Sequence, residues 1–207
     1  MMTENVAKEQ AELAVQRLSV ITFNYDRCIE RFLPQALADY FEIGDEPACE
    51  LVRQIPIYHP YGSIGPLPWQ VANGAVPYGH NTQADLIAAA DRIKTFTEGL
   101  ADEAILDPMH EILEDADRIV FLGFAFHPIN MKLLTPPNAS SAREILATTL
   151  DMSKADEVVI EDHIFELLGR RTASMTERLS MQPEMANMKC GPFFQQYFRS
   201  LSAGARD

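Results

Sequence analysis

Cysteine is scarce in this chain: Cys28, Cys49 and Cys190 are odd in number, far apart, and include no Cys-x-x-Cys pair. That argues against a disulfide framework and against a short-spaced thiolate metal site, so no metal is expected. No apolar run approaches the roughly 18–20 residues of a membrane span. The first residues, Met1-Met2-Thr3-Glu4-Asn5, lack the basic start and apolar stretch of a secretory signal. A reducing cytoplasm, with no membrane partner, is the expected setting. Basic residues are short as well, 17 Lys and Arg against 30 Asp and Glu, for a formal net charge of -13. So acidic a chain has little to offer a phosphate backbone, and direct nucleic-acid binding is not expected. A dinucleotide stays open, because a few backbone N–H groups can hold a pyrophosphate without net positive charge.

What is present suits a globular protein. A length of 207 residues carries one sizeable core and at most a small appendage. Ala7, Ala11, Leu13, Ala14 and Leu18 among Glu and Lys predict a helix over 3–18. Val20-Ile21-Thr22-Phe23 predicts a buried strand that ends in Asn24-Tyr25-Asp26, with a helix over 26–40 behind it. Residues 44–54 read as a loop with a short connecting segment. Ile55-Pro56-Ile57-Tyr58-His59 reads as a short strand whose proline suits an edge or a strand start.

From 60 to 79, Pro60, Gly62, Gly65, Pro66, Pro68, Gly74, Pro77 and Gly79 exclude regular structure and imply a long ordered loop. Trp69 and Tyr78 within it are expected to anchor the loop rather than cover a ligand. Residues 92–97 lean to a short strand on their β-branched content. Asp107-Pro108 predicts a helix start, with Met109, Ile112, Leu113 and Ala116 on the buried face. Ile119-Val120-Phe121-Leu122-Gly123 is the most continuous apolar strand, as a parallel strand covered on both faces requires.

A strand over 145–150 follows, then a helix over 154–168, begun by Asp151-Met152-Ser153 and stopped by Gly169. The tail over 170–207 is polar and Met-rich until Phe193-Phe194-Gln195-Gln196-Tyr197-Phe198, an aromatic helix expected to dock back on the body. The alternation predicts an α/β layered fold with a mainly parallel sheet, in which the strands over 20–23, 119–122 and 145–149 share one layer.

Three strand ends then carry the candidate chemistry: Asn24 and Asp26 after the first, His59 after the second, and Gly123-Phe124-Ala125-Phe126 after the apolar strand. Ligands of open α/β sheets bind outside the carboxyl ends of the strands. Two plainer roles stand beside this one: Asn24 and Asp26 as helix caps, and His59 as a structural hydrogen-bonder.

Together, Ile21-Thr22-Phe23-Asn24-Tyr25-Asp26, His59 followed by Gly62-Ser63, and Phe121-Leu122-Gly123-Phe124-Ala125-Phe126-His127-Pro128-Ile129-Asn130 resemble the sirtuin-like NAD-binding family in its zinc-free bacterial branch. The resemblance runs from about residue 19 to 162. It implies a Rossmann-like three-layer fold, a single domain over 1–207, and NAD as ligand or substrate. It assigns Asn24 and His59 to catalysis, Asn24 positioning a water or the ribose and His59 accepting a proton. Asp26, Gly62, Ser63, Gly123, Phe124 and Ala125 would then contact the dinucleotide. The activity implied is NAD glycohydrolysis of the bacterial defence type, through an oxocarbenium-like transition state.

The family opens with a Gly-rich strand–loop–helix that cradles the diphosphate, and here no glycine precedes Gly44. Ala125 stands where the family has Ser, and Pro60-Tyr61 separates His59 from Gly62. The chain is thus expected to be the carboxyl-terminal part of such a domain, incomplete at its amino terminus, hydrolysing NAD slowly or not at all. The alternatives are a non-catalytic protein-interaction or structural module on a Rossmann-like scaffold, acting as a homo-oligomer or with a partner protein.

Overall fold

The computed structural model describes residue 3, residues 6–79, 87, 89–93 and 103–202. It divides into two compact units, Met2–Ile105 and Leu106–Asp207. The strand expected over 92–97 lies mostly outside the described residues.

The amino-terminal unit begins with a single 3-10 turn, Lys8–Gln10, and a short helix α1 (Ala11–Val15), less than the helix expected over 3–18. Strand β1 (Val20–Ile21) then pairs in parallel with β2 (Ile57–Tyr58), Val20 opposite Ile57 and Ile21 opposite Tyr58. β1 ends early because the Asn24 N–H turns back to Thr22 Oγ1 at 3.2 Å, bending the chain out of the strand.

Helix α2 (Cys28–Phe41) presents Glu30, Pro34, Leu37 and Phe41 to the interior, a spacing of four, three and four that keeps one face inward. Pro34 lies within it, and Glu42 ends it in the left-handed region at φ 51°. Residues 44–54, expected as loop, instead form helix α3 (Asp45–Arg53). Its start has Asp45 and Glu46 against the helix dipole and Pro47 in the first turn, and Ala48, Leu51 and Val52 make its buried face. Those three pack with Ala11, Ala14, Val15, Leu37, Phe41 and Ile55 into one core, against which Trp69 of the 60–79 loop lies. Anchoring, as expected for Trp69, is its role here; Tyr78 stays 47% exposed.

The carboxyl-terminal unit opens at its boundary with helix α4 (Glu103–Asp115), which starts before Asp107 and contains Pro108. The proline marks an early turn of the helix rather than its first position. Strands β3 (Arg118–Phe121), β4 (Glu144–Thr148) and β5 (Glu184–Ala186) make a parallel sheet in the order β3-β4-β5. Phe121 pairs with Ala147, and Thr148 with Ala186. β4, in the middle, is buried from Ile145 to Thr148, as a strand covered on both faces must be. β3 alternates, with Ile119 and Phe121 inside.

Between the strands run α5 (Pro128–Leu134), α6 (Lys154–Leu167) and α7 (Met175–Ser180), followed after β5 by α8 (Cys190–Gln196) and α9 (Phe198–Ser202). α6 has the expected limits, capped by Ser153 and followed by Gly169 at φ 68°. The aromatic tail docks as expected: Phe193, fully buried, packs with Leu146 and Ala186. β5 lies in a stretch where no strand was expected. The strands form two ladders, so β1 is hydrogen-bonded to β2 and not joined to β3 and β4 in the one sheet expected. The molecule is mixed α/β with short parallel sheets. No helix among the described residues is long and apolar enough to cross a membrane.

Candidate functional site

Parallel pairing brings the carboxyl ends of β3, β4 and β5 to one edge of their sheet. Just past β3, Gly123 takes φ 59°, a left-handed turn glycine adopts without strain. Its N–H donates to Thr148 Oγ1 at 2.8 Å, tying the end of β3 to the end of β4. Phe124 then meets Phe121 at a tilt and Phe126 edge to face, at centroid distances of 5.6 and 5.1 Å, which packs the turn.

Beyond these ends lies a cleft of about 350 Å³. Gly123, Phe124 and Ala125 form one wall; Thr148, Leu150 and Met152 follow β4; Met188, Lys189 and Cys190 follow β5. The walls are mostly apolar, and Lys189 brings the positive charge. The volume sits at the lower end of the roughly 300–1,000 Å³ of small-molecule pockets. Phe124, Leu150 and the two methionines supply its apolar faces.

The helix starts behind these strand ends offer a diphosphate little. In α6 a capping box engages two of the N-terminal donors: Ser153 Oγ accepts from Asp156 N at 3.1 Å, and Asp156 Oδ2 accepts from Ser153 N at 3.2 Å. The Ser153 hydroxyl and N–H hold the Asp156 carboxyl below its ordinary value, so a negative charge stands where a phosphate would need donors. At α5, His127 Nδ1 accepts from Ile129 N and Pro128 has no N–H to give. The lining thus offers apolar side chains and one lysine, Lys189, and does not form a diphosphate cradle.

In the amino-terminal unit, the parallel β1–β2 pair sets Asn24 and His59 side by side. His59 Nδ1 lies 2.9 Å from the Asn24 carbonyl oxygen, and Nε2 lies 2.8 Å from Glu30 Oε1. A carbonyl only accepts, so Nδ1 carries a proton and donates it there. Nε2 then shares its proton with the Glu30 carboxylate. Burial pulls the His59 pKa down, but the Glu30 and Asn24 hydrogen bonds and the charges of Glu30 and Asp26 outweigh it and hold the ring above its ordinary value. Asp26 Oδ1 accepts from Cys28 N at 3.0 Å, an Asx turn that leads the chain into α2, whose N-cap is Arg27. That bond, with the Cys28 thiol and the charge of His59, lowers its pKa against a smaller contribution from burial.

Gly62 closes a turn with its N–H on the His59 carbonyl at 2.9 Å. Its φ is 81°, and a Cβ placed there would lie 2.0 Å from the Arg92 carbonyl oxygen. Close packing within the unit accounts for this glycine. The Ser63 hydroxyl accepts from Gly65 N at 3.4 Å. Asn24, Asp26, His59, Gly62 and Ser63 thus belong to one compact unit, and Gly123, Phe124 and Ala125 to the other.

Arg27, Glu30, Lys189 and Cys190 stand beside the candidate residues without being among those the sequence marks. Arg27 is 2% exposed and donates through one guanidinium nitrogen to the carbonyls of Gly65 and Val76, while Glu30 is 5% exposed. The signal was available for Glu30: it falls in register with Pro34, Leu37 and Phe41, on a stripe where a charge needs a partner. Lys189 and Cys190 were missed because they follow β5, which lacks β-branched residues. Comparison of the chain with family models, curated proteins and solved structures gives no match.

Proposed function

We propose that this chain is a sirtuin-like, Rossmann-like NAD-binding protein that cleaves the nicotinamide–ribose bond slowly or not at all. The observation that carries the reading is the cleft at the carboxyl ends of β3, β4 and β5, walled by Gly123, Phe124 and Ala125. Parallel sheets take their ligands at that edge. Phe124, Leu150 and Met152 would lie against a nucleoside ring, and Lys189 would meet one phosphate. The Asp156 carboxylate stands where a second phosphate would sit, and His127 takes the Ile129 N–H, so binding is expected to be weak.

Weak turnover also fits the state of His59, which is not among the residues lining the cleft. A general base needs a ring nitrogen free to take a proton from water or a hydroxyl. Here Nδ1 is already a donor to Asn24 and Nε2 is held by Glu30. Equilibrium dialysis against NAD, with chromatography of nicotinamide, tests both parts. NAD should be retained by the protein while nicotinamide forms at the rate of the blank. No retention at millimolar NAD would sink the binding claim. Robust nicotinamide release, lost in both Asn24→Ala and His59→Ala, would sink the claim about turnover.

A second reading, a protein-interaction module, rests on the outer face of α2. Ile29, Phe32, Leu33 and Ala36 line a shallow apolar depression of about 320 Å³, and Phe32 is 60% exposed. Such a face suits a partner protein or a second copy of the chain. Sedimentation of the wild type and Phe32→Glu distinguishes them: self-association lost in the variant favours a second copy, and a monomer throughout leaves a separate partner.

A further inference from the structure

Four charged or chargeable groups meet at the start of α2. Arg27 and Glu30 are buried, the His59 side chain is 11% exposed, and Asp26 stands beside them at the surface. Each fastens a different piece of chain. His59, the residue before the 60–79 loop, is held by Glu30 of α2 and by the Asn24 carbonyl. Arg27 reaches across that loop and binds it at two separated points, Gly65 and Val76. The Val76 N–H returns to the Pro66 carbonyl at 2.8 Å, closing the loop on itself.

We propose that Arg27, Glu30 and His59 form a proton-dependent latch that holds the 60–79 loop against α2 and releases it as the pH rises.

The geometry requires one particular proton. Because Nδ1 must donate to Asn24, a second proton has to lie between Nε2 and Oε1 for the 2.8 Å contact to be attractive. When that proton passes to solvent, a nitrogen lone pair faces a carboxylate oxygen across the same gap, and the contact turns repulsive. The charges agree. The titratable groups facing His59 are Glu30 on α2 and Asp26 in the turn before it, while Arg27 acts on Glu30 from the same helix start. Two cations and two anions balance only with His59 protonated.

The cluster has no reserve of hydrogen bonds. Among the described residues, Arg27 Nε and Glu30 Oε2 are buried without a hydrogen-bond partner. Burial lowers the Arg27 pKa and Glu30 opposes the shift, so neither charge stands alone at low cost. The sign follows from linkage. His59 is held above its ordinary value in the closed loop, so the stabilisation is complete below the free-histidine value of roughly 6.5 and is lost as pH rises through the raised value. Between those two values each opening event releases one proton, so the opening constant should climb about tenfold per pH unit.

Trp69 makes the test direct, because it is the single tryptophan of the chain and sits in the loop, packed on the core. In the full chain, Trp69 emission should shift to the red and its acrylamide quenching should rise as the pH climbs above the free-histidine value of roughly 6.5. Glu30→Gln should remove this transition, since the glutamine amide donates to a neutral Nε2 and the contact no longer needs the proton. Hydrogen exchange on the wild type gives a second measure should that variant not fold. Corrected for intrinsic rates, the amides of Gln70 and Val76 should lose protection in this range while those of Leu51 and Val52 in α3 keep it. Flat Trp69 emission in the wild type, an unchanged midpoint in a folded Glu30→Gln, or equal loss of protection in α3 would each overturn the latch.

Discussion

Two glycines of the same loop separate backbone conformation from packing. Gly62 and Gly74 both have positive φ, 81° and 73°. A Cβ at Gly74 would meet nothing within 4 Å, whereas one at Gly62 would lie 2.0 Å from a backbone oxygen of Arg92. In both, alanine incurs the left-handed penalty of roughly 1–2 kcal/mol. Both recover about 0.4–1 kcal/mol from the stiffer unfolded chain. Gly74→Ala should therefore destabilise by about 0.5–1 kcal/mol. Gly62→Ala adds the cost of pushing main chain aside, typically about 1–3 kcal/mol for overpacking, and should reach about 2–4 kcal/mol. Urea unfolding followed by Trp69 emission measures both in the amino-terminal unit. Equal losses would refute the close approach of Arg92 and return Gly62 to the role of a ligand-facing glycine.

Phe193→Ala should cost about 3–5 kcal/mol, seen as a lower unfolding midpoint by circular dichroism, because Phe193 is fully buried against Leu146 and Ala186. A change under about 1 kcal/mol would mean that the tail does not dock there. Ser153→Ala should lower stability by about 1 kcal/mol through loss of the α6 capping box, with Ser153→Asp close to wild type. Asp26 has a lowered pKa, so its contribution is present above the ordinary aspartate value and lost as pH falls through the lowered one; Asp26→Asn should flatten this acid limb of a stability–pH curve. Metal analysis of the purified protein should find well below one zinc per chain, and about one zinc per chain would contradict the reading of Cys28, Cys49 and Cys190 as free thiols.

What the sequence made legible were elements with strong period or strong ends. The span of α2, the apolar runs of β3 and β4, and the Ser153 start and Gly169 stop of α6 each follow from a local rule. α3 obeys such rules too, yet Gly44, Asp45 and Pro47 look like turn residues before they look like a helix start, which hides it. β5 was not legible at all. Glu184-Met185-Ala186 has no strand propensity, and only pairing with Leu146, Ala147 and Thr148 makes it a strand. The candidate site divides the same way. Gly123, Phe124 and Ala125 were marked by the strand before them, while Met188, Lys189 and Cys190 reach the cleft through β5. His59 was visible as a histidine at a strand end, but its partner Glu30 depended on reading one charge against an otherwise apolar helix face.

The central claim is that the strand-end cleft of the carboxyl-terminal unit takes NAD. Its most direct test is a calorimetric titration of NAD into the full chain and into Ala125→Trp, a substitution at an exposed wall position that fills the cleft. The account predicts saturable heat for the wild type, and at least about tenfold weaker binding for a variant that keeps its unfolding midpoint. Absence of saturable heat in the wild type, or an unchanged isotherm in Ala125→Trp, would contradict it.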